Sequence, residues 1–103
     1  MPKTVQLRRY DLKPDLVDEF LAWWPSRLVP ARRAHGFEIE FAYLNRSTNE
    51  FTWAVSVEGD AEQFAAVESG YITSPERDAA FAGVTGWTDS AVVSIVDAID
   101  PEA

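Results

Sequence analysis

Histidine occurs once in this chain, at position 35, and cysteine does not occur at all. Imidazole titrates near neutrality, so His35 is the natural candidate for a general acid or base. It stands four residues after Ala31 and seven after Leu28, at helical spacing, and Gly36 follows it. That placement fits equally a side chain that caps the last carbonyls of a helix or fills a seam beneath it. No second histidine or cysteine exists to complete a metal site, and none is expected. Haem, which needs only one protein ligand, is the remaining alternative for His35. Arg8 and Tyr10, with Gln6 two residues earlier, share one side of a predicted strand. A guanidinium there would orient an anionic or enolate oxygen, and the phenol would donate or accept a hydrogen bond. His35, Arg8 and Tyr10 are therefore the candidate catalytic residues. The competing expectation for Arg8 is an ion pair with Glu38 or Glu40 of the same or a partner chain. Those two carboxylates, at i and i+2, fit a polar strand face better than an acid/base pair.

Trp23, Trp24, Trp53 and Trp87, with Tyr43, Tyr71 and Phe81, are a heavy aromatic load for one small domain. Trp24 and Trp53 are expected in the core. Gln6, Trp23, Tyr71 and Trp87 are the candidate substrate-binding residues. No phosphate-binding glycine loop, nucleophile elbow or Cys/His metal spacing is present. Nucleotide-dependent and classical hydrolytic chemistry are not expected, nor is a dissociable cofactor.

The elements that must position these residues follow from local patterns. Val5, Leu7 and Arg9 alternate with Gln6, Arg8 and Tyr10, the period of a strand with one apolar face. Pro14, with Asp15, Asp18 and Glu19, suits a helix start. Leu16, Val17, Phe20, Leu21, Trp24, Leu28 and Ala31 form the buried stripe of that helix. Pro25 and Pro30 predict a kink or break near residues 24–26, with Ser26 as a new cap. Gly36 ends the helix. Phe37, Ile39, Phe41 and Tyr43 alternate with Glu38, Glu40, Ala42 and Leu44 in a second strand. A polar turn over residues 45–49 leads to a third strand carrying Phe51, Trp53, Val55 and Val57. Asp60 is expected to cap a helix that faces inward through Phe64, Val67 and Tyr71. Ser74-Pro75-Glu76 opens a short extra helix, residues 83–89 are a loop, residues 91–99 the last strand and residues 100–103 a frayed tail.

The order β-α-β-β-α-β is the ferredoxin-like α+β plan, with helices on one sheet face only. A 103-residue chain has nothing left to cover the other face, so a face-to-face homodimer is expected, with Tyr10 among the residues on that second face. One domain spanning residues 1–103 is implied.

Net charge is −8, which argues against a nucleic-acid partner. Residues 1–35 carry seven basic and four acidic side chains, whereas residues 36–103 carry two basic and thirteen acidic ones. The first strand and helix could thus form a positive wall for an anionic ligand or for the acidic half of a partner subunit. No apolar run approaches the roughly 20 residues of a membrane span, and no apolar signal-peptide core is seen at the start. A cytoplasmic protein without membrane partners is expected. Seven arginines against two lysines, with abundant alanine, suggest a GC-rich bacterial gene.

Arg8-x-Tyr10, Leu12-Lys13-Pro14 before Asp18-Glu19-Phe20, Leu28-Val29-Pro30, His35-Gly36-Phe37, and Thr48-Asn49-Glu50-Phe51 before Trp53 together resemble NIPSNAP-family domains. These are small members of the dimeric α/β-barrel superfamily, and the likeness covers nearly the whole chain. The resemblance implies a ferredoxin-like domain forming a dimeric α/β barrel, with a cavity between sheet and helices. The superfamily includes cofactor-independent monooxygenases of aromatic polyketides, cyclases, lactone isomerases and haem-handling enzymes. By that likeness the expected function is a small cofactor-independent enzyme, or enzyme-like protein, acting on an aromatic or polyketide-type metabolite by cyclisation, isomerisation or oxygenation. The alternative is a non-catalytic homodimer that binds a metabolite or a partner protein. The resemblance supplies no catalytic set of its own.

Overall fold

One strand decides which way the sheet faces. In the computed structural model, which describes residues 2–84 and 86–102, β3 (Glu50–Glu58) buries its row Phe51, Trp53, Val55 and Val57 under the helices. The first strand, β1 (Lys3–Leu12), pairs antiparallel with it, so that Tyr10 lies opposite Phe51, Arg8 opposite Trp53 and Gln6 opposite Val55. Directly opposed residues share a sheet face. Gln6, Arg8 and Tyr10 therefore point toward the helices, and Val5, Leu7 and Arg9 point away. The alternation within β1 suggested the reverse, with Tyr10 on the uncovered face. The strongly apolar row of β3 overrides it, and the hydrogen-bond ladder carries β1 along.

The edges are β2 (Glu38–Asn45) and β4 (Thr88–Val96), in the order β2-β3-β1-β4 with every neighbour antiparallel. The register of β2 shifts between Ile39 and Phe41, leaving Glu40 as the extra residue of a bulge. A one-residue slip exchanges the two faces. Ile39 and Leu44 consequently pack on the core, while Phe41 and Tyr43 turn to the uncovered face, splitting a row that simple alternation would keep together. The last strand starts and ends three residues before the expected 91–99, because Thr88 already pairs with Leu12. Thr85 of the expected loop, Ala103 of the expected tail and Met1 lie outside the described residues.

The first helical segment stays continuous through both prolines. A 3-10 turn (Pro14–Leu16) leads into α1 (Val17–Trp23), then a π-helical turn (Trp24–Leu28) and α2 (Val29–Ala34). Instead of breaking at Pro25, the helix widens by one residue, and the Val29 N–H reaches back five positions to the Trp24 carbonyl. Ser26 is not a cap. Its hydroxyl donates to the Ala22 carbonyl at 2.6 Å and helps close the helix. The segment ends as expected: Gly36 takes φ +90°, with the Phe37 N–H on the Arg32 carbonyl and the Gly36 N–H on the Arg33 carbonyl.

The second helical layer follows its local signals. Asp60 and Gln63 form a reciprocal capping box at the start of α3 (Ala61–Ile72), which buries Phe64 and Tyr71. The Ser74 hydroxyl accepts from the Arg77 N–H and caps α4 (Pro75–Phe81). Trp23 of α1 clamps α4 by donating its indole N–H to the Ala80 carbonyl at 2.7 Å, and Arg27 donates to the Ala79 carbonyl. No described helix is long and apolar enough to cross a membrane.

Candidate functional site

Turning the polar row of β1 inward leaves space between sheet and helices that apolar packing does not fill. The result is a partly enclosed cavity of about 340 Å³. Its floor is Arg8 and Tyr10 of β1, its walls are aromatic side chains including Phe20, Trp23 and Trp87, and Arg32 and Arg77 enter from α2 and α4. Tyr10, Trp23, Trp87 and Phe51 all lie around Phe20, with ring centroids 4.9–6.3 Å away. A roughly 150 Å³ apolar cavity suffices for benzene, so this one has room for a fused bicyclic compound with polar substituents.

The floor carries an ordered chain of polar groups. Arg8 donates from Nε to the Tyr10 hydroxyl at 2.8 Å and from Nη1 to Gln6 Oε1 at 2.7 Å. Because the Tyr10 oxygen accepts from Arg8, its own O–H is left to donate. Neither Glu38 nor Glu40 pairs with Arg8 within the chain. Glu40 lies on the opposite sheet face, held by Lys3 at 2.8 Å and by the Ser56 hydroxyl at 2.6 Å. Those hydrogen bonds, Lys3's first, keep the Glu40 carboxyl below its ordinary pKa. The acid nearest Arg8 is Glu68 of α3, whose Oε2 is 3.9 Å from Arg8 Nη1 and 3.8 Å from Arg32 Nη1. Neither approach is a hydrogen bond.

Arg32 is the residue that sequence patterns missed. Its guanidinium lies 4.4 Å from the Tyr71 ring centroid, 4.7 Å from Phe37 and 5.5 Å from Trp53, and the residue is 5% exposed. Burial, and then the positive charge of Arg8, lowers its pKa. The neighbouring Tyr71 hydroxyl is pushed up, chiefly by burial. One signal for Arg32 was available: it follows Leu28 by four residues on the buried stripe, whereas Arg33 faces solvent. Arg77, four before Phe81, carries the same spacing.

Of the seven candidate residues, Arg8, Tyr10, Trp23, Tyr71 and Trp87 line the cavity, and Gln6 touches it through Arg8. His35 does not line it. At the end of α2 its Nε2 lies 2.6 Å from Glu76 Oε1 in the first turn of α4, and its ring packs edge-on to Tyr71 at 5.7 Å. That is the seam position its helical spacing allowed, and it joins two helices. The Nε2 that a haem iron would need is occupied by Glu76. Among the described residues no three His, Cys, Asp or Glu side chains gather closely enough to hold a metal ion.

No protein-family model matches the chain, and no curated protein matches it either. Solved structures do. A NIPSNAP family protein from Agrobacterium tumefaciens superposes with a TM-score of 0.82 at 10% identity, over 97% of this chain and 96% of that one. A NIPSNAP-like domain protein from Burkholderia xenovorans gives 0.81 at 17% identity, over 96% and 87%. A candidate antibiotic biosynthesis monooxygenase from Nitrosomonas europaea gives 0.68 at 13% identity, over 96% and 92%. At such identities the likeness is one of fold: the chain has the ferredoxin-like α+β fold found in NIPSNAP-domain proteins.

Proposed function

We propose that this NIPSNAP-like domain is a cavity protein for an aromatic or polyketide-type metabolite, whose ionised oxygen it holds on Arg8 beside the Tyr10 hydroxyl. The observation that carries this reading is the Gln6–Arg8–Tyr10 hydrogen-bond chain lying across the floor of an aromatic-walled space. A guanidinium fixed by two hydrogen bonds is pre-organised for an enolate or phenolate, and its low-dielectric surroundings strengthen the attraction. The rings of Trp23 and Trp87 suit a flat ligand. The buried Trp87 indole N–H has no acceptor within the described chain, so it can take a ligand oxygen.

In its enzyme-like form, the site would lower the pKa of a bound acidic substrate so that water takes its proton, and the held enolate would cyclise, isomerise on reprotonation, or react with dioxygen as co-substrate, without a dissociable cofactor. The Tyr10 O–H is the group placed to return a proton. His35 has no part in this chemistry. A second reading, binding without turnover, has its own support: no aspartate, glutamate or histidine stands among the described cavity-lining residues. The domain would act as a homodimer through its uncovered sheet face, where Phe41, Tyr43 and Val92 are exposed.

Arg8→Met tests the proposal, since it keeps the stem and deletes the charge. Calorimetric titration of the wild type with naphthol at a pH where it is ionised should show saturable binding. The variant should bind at least about tenfold more weakly while its melting temperature stays within a few degrees. Equal affinity of the two proteins would overturn the assignment of Arg8.

A further inference from the structure

We infer that Arg8 and Arg32 together form a carboxylate subsite, so that the preferred ligand of the cavity is an aromatic carboxylic acid whose carboxylate displaces Glu68. The inference rests on the proposed binding role of the cavity and names the class of compound that fills it.

Arg32 is an unusual residue to leave as it stands. Its Nε and Nη1 are both buried and neither has a hydrogen-bond acceptor in the described chain. A buried cation without full pairing is costly, and native structures seldom keep one without a reason. Three aromatic faces around the guanidinium offset part of that cost, yet none of their groups accepts from Nε or Nη1. The Tyr71 hydroxyl in the same wall is likewise buried without a partner. Because burial raises its pKa, it remains a neutral O–H donor at physiological pH. Donors that lack acceptors therefore converge on one end of the cavity.

Glu68 shows what kind of group belongs there. A single oxygen, Oε2, stands within 4 Å of both guanidiniums yet makes a proper hydrogen bond to neither. It neutralises part of their charge from a distance. Its side chain is 25% exposed on α3, so it can swing out to water at little cost. A ligand carboxylate entering from the cavity would be bound by two cations, in the manner of charge-assisted pairs. It would also give the orphaned Arg32 nitrogens the acceptor they lack. A neutral carbonyl could accept from one of these donors but would leave the Arg8–Arg32 repulsion in place.

The test compares three bicyclic probes by calorimetric titration of the intact protein: naphthoate, its neutral amide naphthamide, and naphthol. Naphthoate should bind at least about tenfold more tightly than naphthamide. Glu68→Gln removes the competing anion and should tighten naphthoate while leaving naphthamide unchanged. Arg32→Met should bring the two affinities together without abolishing naphthol binding. Should Arg32→Met fail to fold, the acid-to-amide ratio in the wild type and the Glu68→Gln response decide the matter without it. Equal binding of acid and amide would overturn the carboxylate subsite while leaving the cavity's binding role intact. Weaker or unchanged naphthoate binding by Glu68→Gln would overturn the displacement. If none of the three probes binds, the broader functional reading fails, and the subsite fails with it.

Discussion

Trp53 and Tyr43 sit on neighbouring strands of one sheet, yet Trp53 is wholly sealed from solvent and Tyr43 is 71% exposed. The helix-covered face is aromatic, carries the half-buried Arg8 and meets the buried Arg32 of α2. Helices and sheet meet there around side chains too polar to close the gap, and a cavity results. The other face is almost the inverse. Small side chains such as Ala54 and Ser56 lie under larger neighbours, an ion pair of Lys3 with Glu40 crosses it, and Phe41, Tyr43 and Val92 stand in solvent. Polar groups among apolar walls make a ligand site, whereas apolar groups on an otherwise finished surface make an interface. On the proposed reading, the two faces of one sheet serve different partners.

Trp53→Ala should break the covered face most severely. The ring packs against Trp24 at 5.3 Å and lies beneath the Arg8 and Arg32 guanidiniums. Removing it should cost about 3–5 kcal/mol in urea unfolding, whereas Tyr43→Ala should cost much less, and that only through weaker association of the subunits. A Trp53→Ala protein as stable as the wild type would contradict this division of roles. The uncovered face is tested by introducing charge. Light scattering should give about twice the 11.5 kDa chain mass for the wild type and the single-chain mass for a Phe41→Asp, Tyr43→Asp variant, with probe binding in the cavity retained. A wild type that scatters as one chain would remove the dimer.

Smaller effects sharpen the contrast. Ser26→Ala deletes an exposed back-bond to the Ala22 carbonyl beside the π-helical turn, and because alanine has the better helix propensity it should shift stability by less than about 0.5 kcal/mol in the same unfolding experiment. The smallest effect belongs to Glu40. Its pKa is depressed in the folded state by hydrogen bonds from Lys3 and then Ser56. The stability it contributes is therefore present above the ordinary carboxylate pKa and lost as pH falls through the depressed folded value. Glu40→Gln should lower the melting temperature slightly in the neutral region, leave the most acid values alone, and so flatten the acid limb of the profile. An unchanged acid limb would mean that the pair contributes nothing.

Much of this molecule is legible residue by residue. Asp60 with Gln63, Ser74 before Pro75, and Gly36 after His35 each set a helix end, because a cap is closed by groups within a few positions of one another. The alternation of β3 is unambiguous because every inward residue is large and apolar. Those signals, together with the NIPSNAP resemblance, suffice for the ferredoxin-like plan. Residue chemistry singles out seven side chains, of which Arg8, Tyr10, Trp23, Tyr71 and Trp87 line the cavity, Gln6 reaches it through Arg8, and His35 lies outside it. What the chain could not disclose locally was decided by pairing. β1 has no inherent inside, since its Val5–Leu7 row runs on into Arg9 and Asp11 and its Gln6–Arg8 row runs on into Tyr10 and Leu12. Only its register against β3 turns Arg8 inward. The bulge at Glu40 exists only as a mismatch between two strands, so no reading of β2 alone places Phe41 and Tyr43 outside. Arg32 follows the same rule from the opposite direction. Its charge marks it for solvent, and the aromatic rings of Phe37, Trp53 and Tyr71, brought together from a loop, β3 and α3, hold it inside. Local chemistry fixes where elements start and stop, but which face of an element meets the core depends on hydrogen bonds and packing between residues far apart in the chain.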